Sequence, residues 1–223
     1  MFVIIANNRG GVGKTTFAIN IAVYAGEIAD YSVLCVDTDL NQLDLCKYLL
    51  NVKEGERIKK IVKPEKILDT RFDNIKLWVG DDWGKIYGLE KEADVVVVDT
   101  HPNIYKPAVV RENDILVIPF EGAFSIENAR DLVDGAKTRK IIGVLNKTVR
   151  SKYIGMKELK KARKLGVMLY QYPIAYTPIF RKMELERVPI YDIGKARQYL
   201  FADAFEDLSA FVLHDVGGLD YGL

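Results

Sequence analysis

Hydrophobic positions in this chain fall into short unbroken runs, separated by longer stretches where apolar residues recur at helical spacing. Phe2-Val3-Ile4-Ile5-Ala6, Val95-Val96-Val97-Val98 and Ile115-Leu116-Val117-Ile118 carry no polar residue. Strands covered on both faces read this way, whereas half-exposed strands alternate. These runs predict strands near 2–6, 32–37, 75–79, 94–99, 114–119, 140–146 and 167–172. The intervening periodicity predicts helices over 14–29, 41–50, 82–91, 125–137, 155–165, 178–187 and 195–213. Segment 51–74 is charged and less regular, with room for a short helix. Strand and helix alternate throughout, so the expected class is α/β, with a mainly parallel central sheet of about seven strands and helices on both faces. No repeat, low-complexity stretch or linker divides the chain, which predicts one domain over 1–223 with a flexible tail over 214–223.

Between the first strand and the first helix stands Asn8-Arg9-Gly10-Gly11-Val12-Gly13-Lys14-Thr15-Thr16. Strand, glycine-rich turn, Lys-Thr and helix, in that order, make a phosphate-binding loop and imply a P-loop NTPase fold. Glycines admit positive φ and let successive N–H groups converge on phosphate oxygens, and the helix N-terminus adds unpaired donors. The pattern assigns phosphate contact to Gly10, Gly11, Val12, Gly13, Lys14, Thr15 and Thr16, with Lys14 on the β- and γ-phosphates and the Thr15 hydroxyl on Mg²⁺. Asn8 stands where the pattern asks for its first glycine. A glycine turn that binds nothing is the bland alternative, and GGxGKTT in strand–helix context disfavours it.

Ligands of such sheets bind beyond the carboxyl ends of the strands. Strand 32–37 runs into Asp37-Thr38-Asp39, and strand 94–99 runs into Asp99-Thr100-His101-Pro102. An Asp closing a continuous apolar strand is the Walker B arrangement, which places Asp99 at the metal, and of Asp37 and Asp39, two residues apart, one could support Mg²⁺ while the other positions the attacking water. Any one of these carboxylates could instead cap a helix or form a turn.

Arg9-Gly-Gly-Val-Gly-Lys-Thr-Thr, Asp37-Thr-Asp39 and Asp99-Thr-His-Pro102 together resemble the deviant-Walker ATPases typified by ParA and MinD. Asp114-Ile-Leu-Val-Ile-Pro119, Gly143-Val-Leu-Asn146 and Ile174 to Pro189 extend the resemblance along nearly the whole chain. It implies ATP and Mg²⁺ as cofactors, an ATP-dependent homodimer, slow hydrolysis stimulated by a partner, and adenine contact by Asn146. In that family a signature lysine reaches across to the partner's nucleotide, and here that position is Arg9. Arginine is a permanently charged fork that suits phosphate. Two readings stand: a catalytic Arg9 acting in trans, or an arginine paired within its own subunit. His101 and Ala175 replace prolines expected by the family, the second beside the adenine.

Composition narrows the partners. The formal net charge is +1, yet residues 137–164 hold eleven basic residues and one acid, Glu158. Solvated faces usually mix signs. The excess points to Lys147, Arg150, Lys152, Lys157, Lys160, Lys161, Arg163 and Lys164 as contacts to DNA backbone, independent of sequence and salt-dependent. ParA-type partition ATPases bind DNA non-specifically in the ATP state and answer to a centromere-binding, ParB-like adaptor, so resemblance and charge converge on plasmid or chromosome segregation. The alternative is a MinD-like or other nucleotide switch that positions a protein partner without DNA. Membrane anchoring needs a basic amphipathic C-terminal helix. Here Asp203, Glu206 and Asp207 line the polar face of the last helix, so its apolar stripe is expected on the sheet and no membrane contact is expected. The two cysteines, Cys35 and Cys46, have no metal-ligand spacing and read as buried thiols. No apolar run approaches the roughly 20 residues of a bilayer span and strand pattern begins at once, so a cytoplasmic protein is expected, and the resemblance to ParA implies association with the nucleoid.

Overall fold

The computed structural model describes residues 1–52, 56–102, 109–147, 152–175, 177–193 and 201–220, with side chains of 152–156 excluded. Among the described residues, eight strands form one sheet in the order β3-β4-β2-β5-β1-β6-β7-β8. They are β1 (Phe2–Ile5), β2 (Val33–Asp37), β3 (Leu68–Asp69), β4 (Ile75–Val79), β5 (Val95–Asp99), β6 (Ile115–Phe120), β7 (Ile141–Leu145) and β8 (Met168–Leu169). All neighbours pair parallel except β3, which lies antiparallel on β4 with Leu68 opposite Leu77. This two-residue edge strand has no periodicity to betray it, and it accounts for the difference from the expected seven.

The long apolar runs take the middle of the sheet. Alternate residues of one strand point to opposite faces. Val95 and Val97 therefore enter one core with Val3, Ile5, Phe17 and Phe205. Val96 and Val98 enter the other with Phe2, Ile4, Ile118 and Ile126. On the first face lie α1 (Lys14–Val23, continued by one π-helical turn, Tyr24–Ile28), α2 (Asp44–Leu49), α8 (Pro178–Glu186) and α9 (Phe201–Ala210). The second face carries α4 (Trp83–Gly88), α5 (Gly122–Asn128), α6 (Arg130–Gly135) and α7 (Lys152–Arg163), while α3 (Ile58–Ile61) is a single turn on the charged segment. The helix expected over 125–137 is thus two, meeting at Ala129, and the one expected from 41 begins at Asp44.

The apolar stripe of α9 is occupied as expected: Phe205 stacks edge-on against Phe17 at 5.2 Å and Phe180 at 5.8 Å. Of the expected tail, residues 214–220 are described and 221–223 lie outside the described residues. Residues Phe211–Val216 continue α9 as a π-helical turn, His214 is buried, and its Nδ1 lies 3.0 Å from Leu219 O. The Tyr31 hydroxyl donates to Asp220 O. A histidine and a tyrosine from another element thus pack a segment whose glycines suggested freedom.

Register decides what the strand ends present. Asp37 pairs with Asp99 across β2 and β5, and Ile5 pairs with Asp99 across β1 and β5. Both carboxylates therefore stand level with the end of β1, where the glycine loop departs.

Candidate nucleotide-binding site

The loop from Ala6 to Gly13 is tied down at its entry by Asn7, a buried residue. Its Nδ2 donates to Pro119 O at 2.9 Å and Ser125 O at 3.2 Å, while its Oδ1 accepts the Arg9 N–H at 3.0 Å. Gly11 and Gly13 then take φ of 74° and 97°, backbone that L side chains rarely adopt. Gly13 also has no room for a side chain: a Cβ there would stand 2.5 Å from Asn146 Nδ2. It caps α1 without any side-chain hydrogen bond, so the first N–H groups of the helix stay open to a ligand.

Thr15, the second residue of α1, donates its hydroxyl to Asp99 Oδ2 at 2.7 Å. The other oxygen of Asp99 is buried without a hydrogen-bond partner. Burial first, and the Asp37 charge second, push the Asp99 carboxyl up to about 8, against the Thr15 hydrogen bond and Lys14. Asp37 accepts the N–H of Asp39 at 3.0 Å and of Cys46 at 3.2 Å, and burial lifts it to about 6. Lys14 is buried, its Nζ 3.1 Å from Arg9 O. Burial lowers its pKa, opposed by Asp99 and Asp39. A buried cation beside buried carboxylates, one with an idle oxygen, suits a polyanion and its counter-cation better than it suits an empty interior.

These residues line one cavity of about 440 Å³, bounded by Gly10, Lys14, Thr15, Asp37, Asp39 and Asp99, with Phe180, Met183 and Arg187 of α8 and its C-cap on its far side. The profile of the CobQ/CobB/MinD/ParA nucleotide binding domain (CbiA) matches residues 3–190. The chain belongs to this family. Among curated proteins, none matches the chain by sequence. Solved structures of the same fold include Pyrococcus horikoshii MinD with Mg-ADP, at 21% identity and TM-score 0.71 over 97% of each chain. A single-residue variant of Cyanothece McdA, in complex with ATP, matches at 16% identity and TM-score 0.71, over 98% of this chain and 96% of that one. A ParA family ATPase from Chlorobium tepidum matches at 19% and 0.67, over 96% and 97%.

For a CobQ/CobB/MinD/ParA domain the donor set fits Mg²⁺ held jointly with a nucleotide. No group of three or more His, Cys, Asp or Glu side chains among the described residues forms a metal cage. Mg²⁺ in phosphate sites takes one or two protein ligands and fills the rest with phosphate oxygens and water, and Thr15 with Asp99 supplies that number.

The other expected residues fall in distinct places. Asp39 lines the cavity, and its Oδ1 also accepts from Asn41 and Gln42 N–H, each at 3.1 Å, forming the turn that follows β2. Asn146 is buried, with Nδ2 committed to Val12 O at 2.8 Å. Arg9 reaches within its own subunit, Nη1 donating to Glu121 O at 3.0 Å. Lys147 faces the loop: Nζ lies 2.6 Å from Gly11 O and 3.3 Å from Glu121 Oε2. Lys157, Lys160, Lys161, Arg163 and Lys164 are exposed along α7 and just beyond its end, Lys161 paired with Glu127 at 2.6 Å. Arg150 and the side chain of Lys152 lie outside what is described. His101 donates its N–H to Thr38 Oγ1 at 3.0 Å.

Besides Glu121, four positions escaped sequence reasoning. Asn7 anchors the loop, Thr38 donates to Asp99 O at 3.1 Å, Thr100 donates to Ile5 O at 2.7 Å, and Cys46 holds Asp37. Thr38 and Thr100 follow the strand-ending aspartates directly, and that adjacency was the available signal.

Proposed function

We propose that this chain is an ATP-dependent, dimerising ATPase of ParA type, which binds DNA non-specifically in its ATP state and serves plasmid or chromosome segregation. Gly10–Thr16 and Lys14 bind the triphosphate, Thr15 and Asp99 hold Mg²⁺ with Asp37 behind them, Asn146 lies on the adenine side, and Asp39 orients the attacking water. Held there, Mg²⁺ would neutralise charge on the phosphate oxygens. Arg9 leaves its intrasubunit contact on Glu121 and completes the site of a second copy, as an arginine finger does. Mg-ADP and ATP in the MinD and McdA structures support these cofactors. A ParB-like adaptor would stimulate turnover, and the setting would be cytoplasmic and nucleoid-associated.

The observation that carries the DNA part is the exposed cluster Lys157, Lys160, Lys161, Arg163 and Lys164. The Lys161–Glu127 pair is a surface pair, its partners 47% and 54% exposed, so its ammonium exchanges readily for phosphate. Lys147 lies against the loop, on Gly11 O and Glu121, apart from this cluster. Two exposed apolar side chains, Phe124 at 72% and Leu185 at 74%, favour a second reading, a MinD-like switch that positions a protein partner. Among the described residues no helix is long and apolar enough to cross a membrane.

DNA affinity measured with and without ATP across a salt series separates the two. Binding that appears only with ATP and falls steeply with salt is the expected result. Absence of binding in both states overturns the partition reading and leaves the protein-partner switch.

A further inference from the structure

Lys147 follows β7 in a left-handed conformation, φ 51°, which a non-glycine residue adopts only when its surroundings hold it there. Its neighbour Asn146 donates to Val12 O at 2.8 Å and Lys147 itself donates to Gly11 O at 2.6 Å. Two consecutive residues of one strand end therefore grip two consecutive carbonyls of the phosphate loop. A trans peptide points its C=O and its N–H in opposite directions. Fixing Gly11 O thus fixes the N–H of Val12, and fixing Val12 O fixes the N–H of Gly13. Those are donors that a phosphate loop must converge on its ligand.

Glu121 completes the arrangement. Its carboxylate lies 3.3 Å from Lys147 Nζ, and its carbonyl accepts from Arg9 Nη1 at 3.0 Å. One residue at the end of β6 so restrains the cations on both sides of the loop. The Lys147 side chain is 31% exposed, partly withdrawn from solvent beside the cavity mouth.

We propose that Lys147 is a positioning residue for phosphate binding: its ammonium, oriented by Glu121, presets the Val12 N–H toward the ligand through the Gly11 carbonyl. The role rests on the reading that Gly10–Thr16 binds phosphate, and it replaces the DNA contact expected of this lysine. Because the effect passes through the loop, it is indifferent to the base and equal for ATP, ADP and inorganic pyrophosphate.

The test is a set of variants on the full chain. Lys147→Met keeps the stem and removes the donor, Lys147→Arg restores a donor, and Lys147→Gly removes the donor while relieving the positive φ. Expected are a loss of affinity of about tenfold or more for ATP, ADP and pyrophosphate alike in Lys147→Met and Lys147→Gly, and recovery to within about threefold in Lys147→Arg. In the ligand-free protein the Val12 amide resonance should move in Lys147→Met and return in Lys147→Arg. Affinity unchanged within about twofold in Lys147→Met, with wild-type binding intact, overturns the role of Lys147 alone, as does a salt slope of DNA binding reduced by about one with nucleotide affinity preserved. A wild-type chain that binds none of the three ligands overturns the phosphate reading and this proposal together.

Discussion

Asn146 Nδ2 stands where the β-carbon of any larger residue at position 13 would go, 2.5 Å from a Cβ built on Gly13. The glycine is required twice, by that amide and by φ 97°.

Gly13→Ala should therefore weaken ATP binding by at least about tenfold, the equivalent of one displaced hydrogen bond, and cost about 1–3 kcal/mol of stability. Gly88→Ala is its control. Gly88 ends α4 at φ −62°, ψ −21°, with open space where its Cβ would lie. Alanine there should stabilise by about 0.5–1 kcal/mol and leave nucleotide affinity unchanged. Calorimetric titration and thermal melts read both; equal behaviour of the two variants would remove the special standing of Gly13.

The difference between these glycines shows what the chain discloses in one dimension. Asp37 and Asp99 could be placed at the site because each closes an unbroken apolar strand, and parallel register brings such ends level. Asn7, Lys147 and Glu121 could not. Asn7 and Lys147 act on carbonyls 112 and 136 positions away, and no spacing rule connects partners so distant. Asp39 was legible by type yet ambiguous in role, since one carboxylate serves a local turn and still faces the cavity. β3 failed for a simpler reason: two residues carry no period. The contacts of Tyr31 with Asp220 and of His214 with Leu219 are chosen by packing and have no spacing signal either.

A carboxylate at the opposite end of the parallel strands provides a second contrast. Asp114, at the start of β6, accepts from Tyr87 at 2.6 Å and from Arg111 N–H at 2.7 Å, with Arg111 stacked 3.6 Å over the Tyr87 ring. Asp114→Ala should destabilise by about 1–3 kcal/mol, because it removes the acceptor of the part-buried Arg111 N–H and leaves the Tyr87 hydroxyl only Val109 O, while nucleotide affinity of the folded protein stays unchanged. Burial and Asp114 both raise the Tyr87 phenol above its ordinary value. An acid raised on folding contributes stability that is complete below its unfolded pKa, near 10, and is lost as pH rises through the folded value. Denaturation of wild type should accordingly steepen above about pH 10, and Tyr87→Phe should flatten that limb. An identical alkaline limb in both proteins would refute the assignment.

Arg9→Ala separates the two readings of the loop arginine. Its guanidinium donates to the Glu121 carbonyl within the subunit, so its removal costs one charged hydrogen bond, about 1.5–3 kcal/mol at most. ATP affinity of the monomer should hold. Dimerisation with ATP, read by sedimentation, and turnover should both be lost if the arginine works across the interface. A variant that dimerises and hydrolyses normally would confine Arg9 to its contact with Glu121.

Asp39 holds two functions that a pair of substitutions can part. Its Oδ1 accepts from Asn41 and Gln42, and its carboxylate also faces the cavity beside Lys14 and Asp99. Asp39→Asn keeps an acceptor for the turn and removes the charge, whereas Asp39→Ala removes both. If the carboxylate orients the attacking water, both variants should lose about 10²–10⁴ in turnover. Nucleotide binding would survive, because Lys14, Thr15 and the glycine loop are untouched. The ATP-bound dimer would then persist, and DNA retained on it would dissociate slowly. If the turn alone matters, asparagine should restore hydrolysis and alanine should not. Single-turnover kinetics on the two variants decide between a group that meets the reacting water and one that merely shapes the loop before α2.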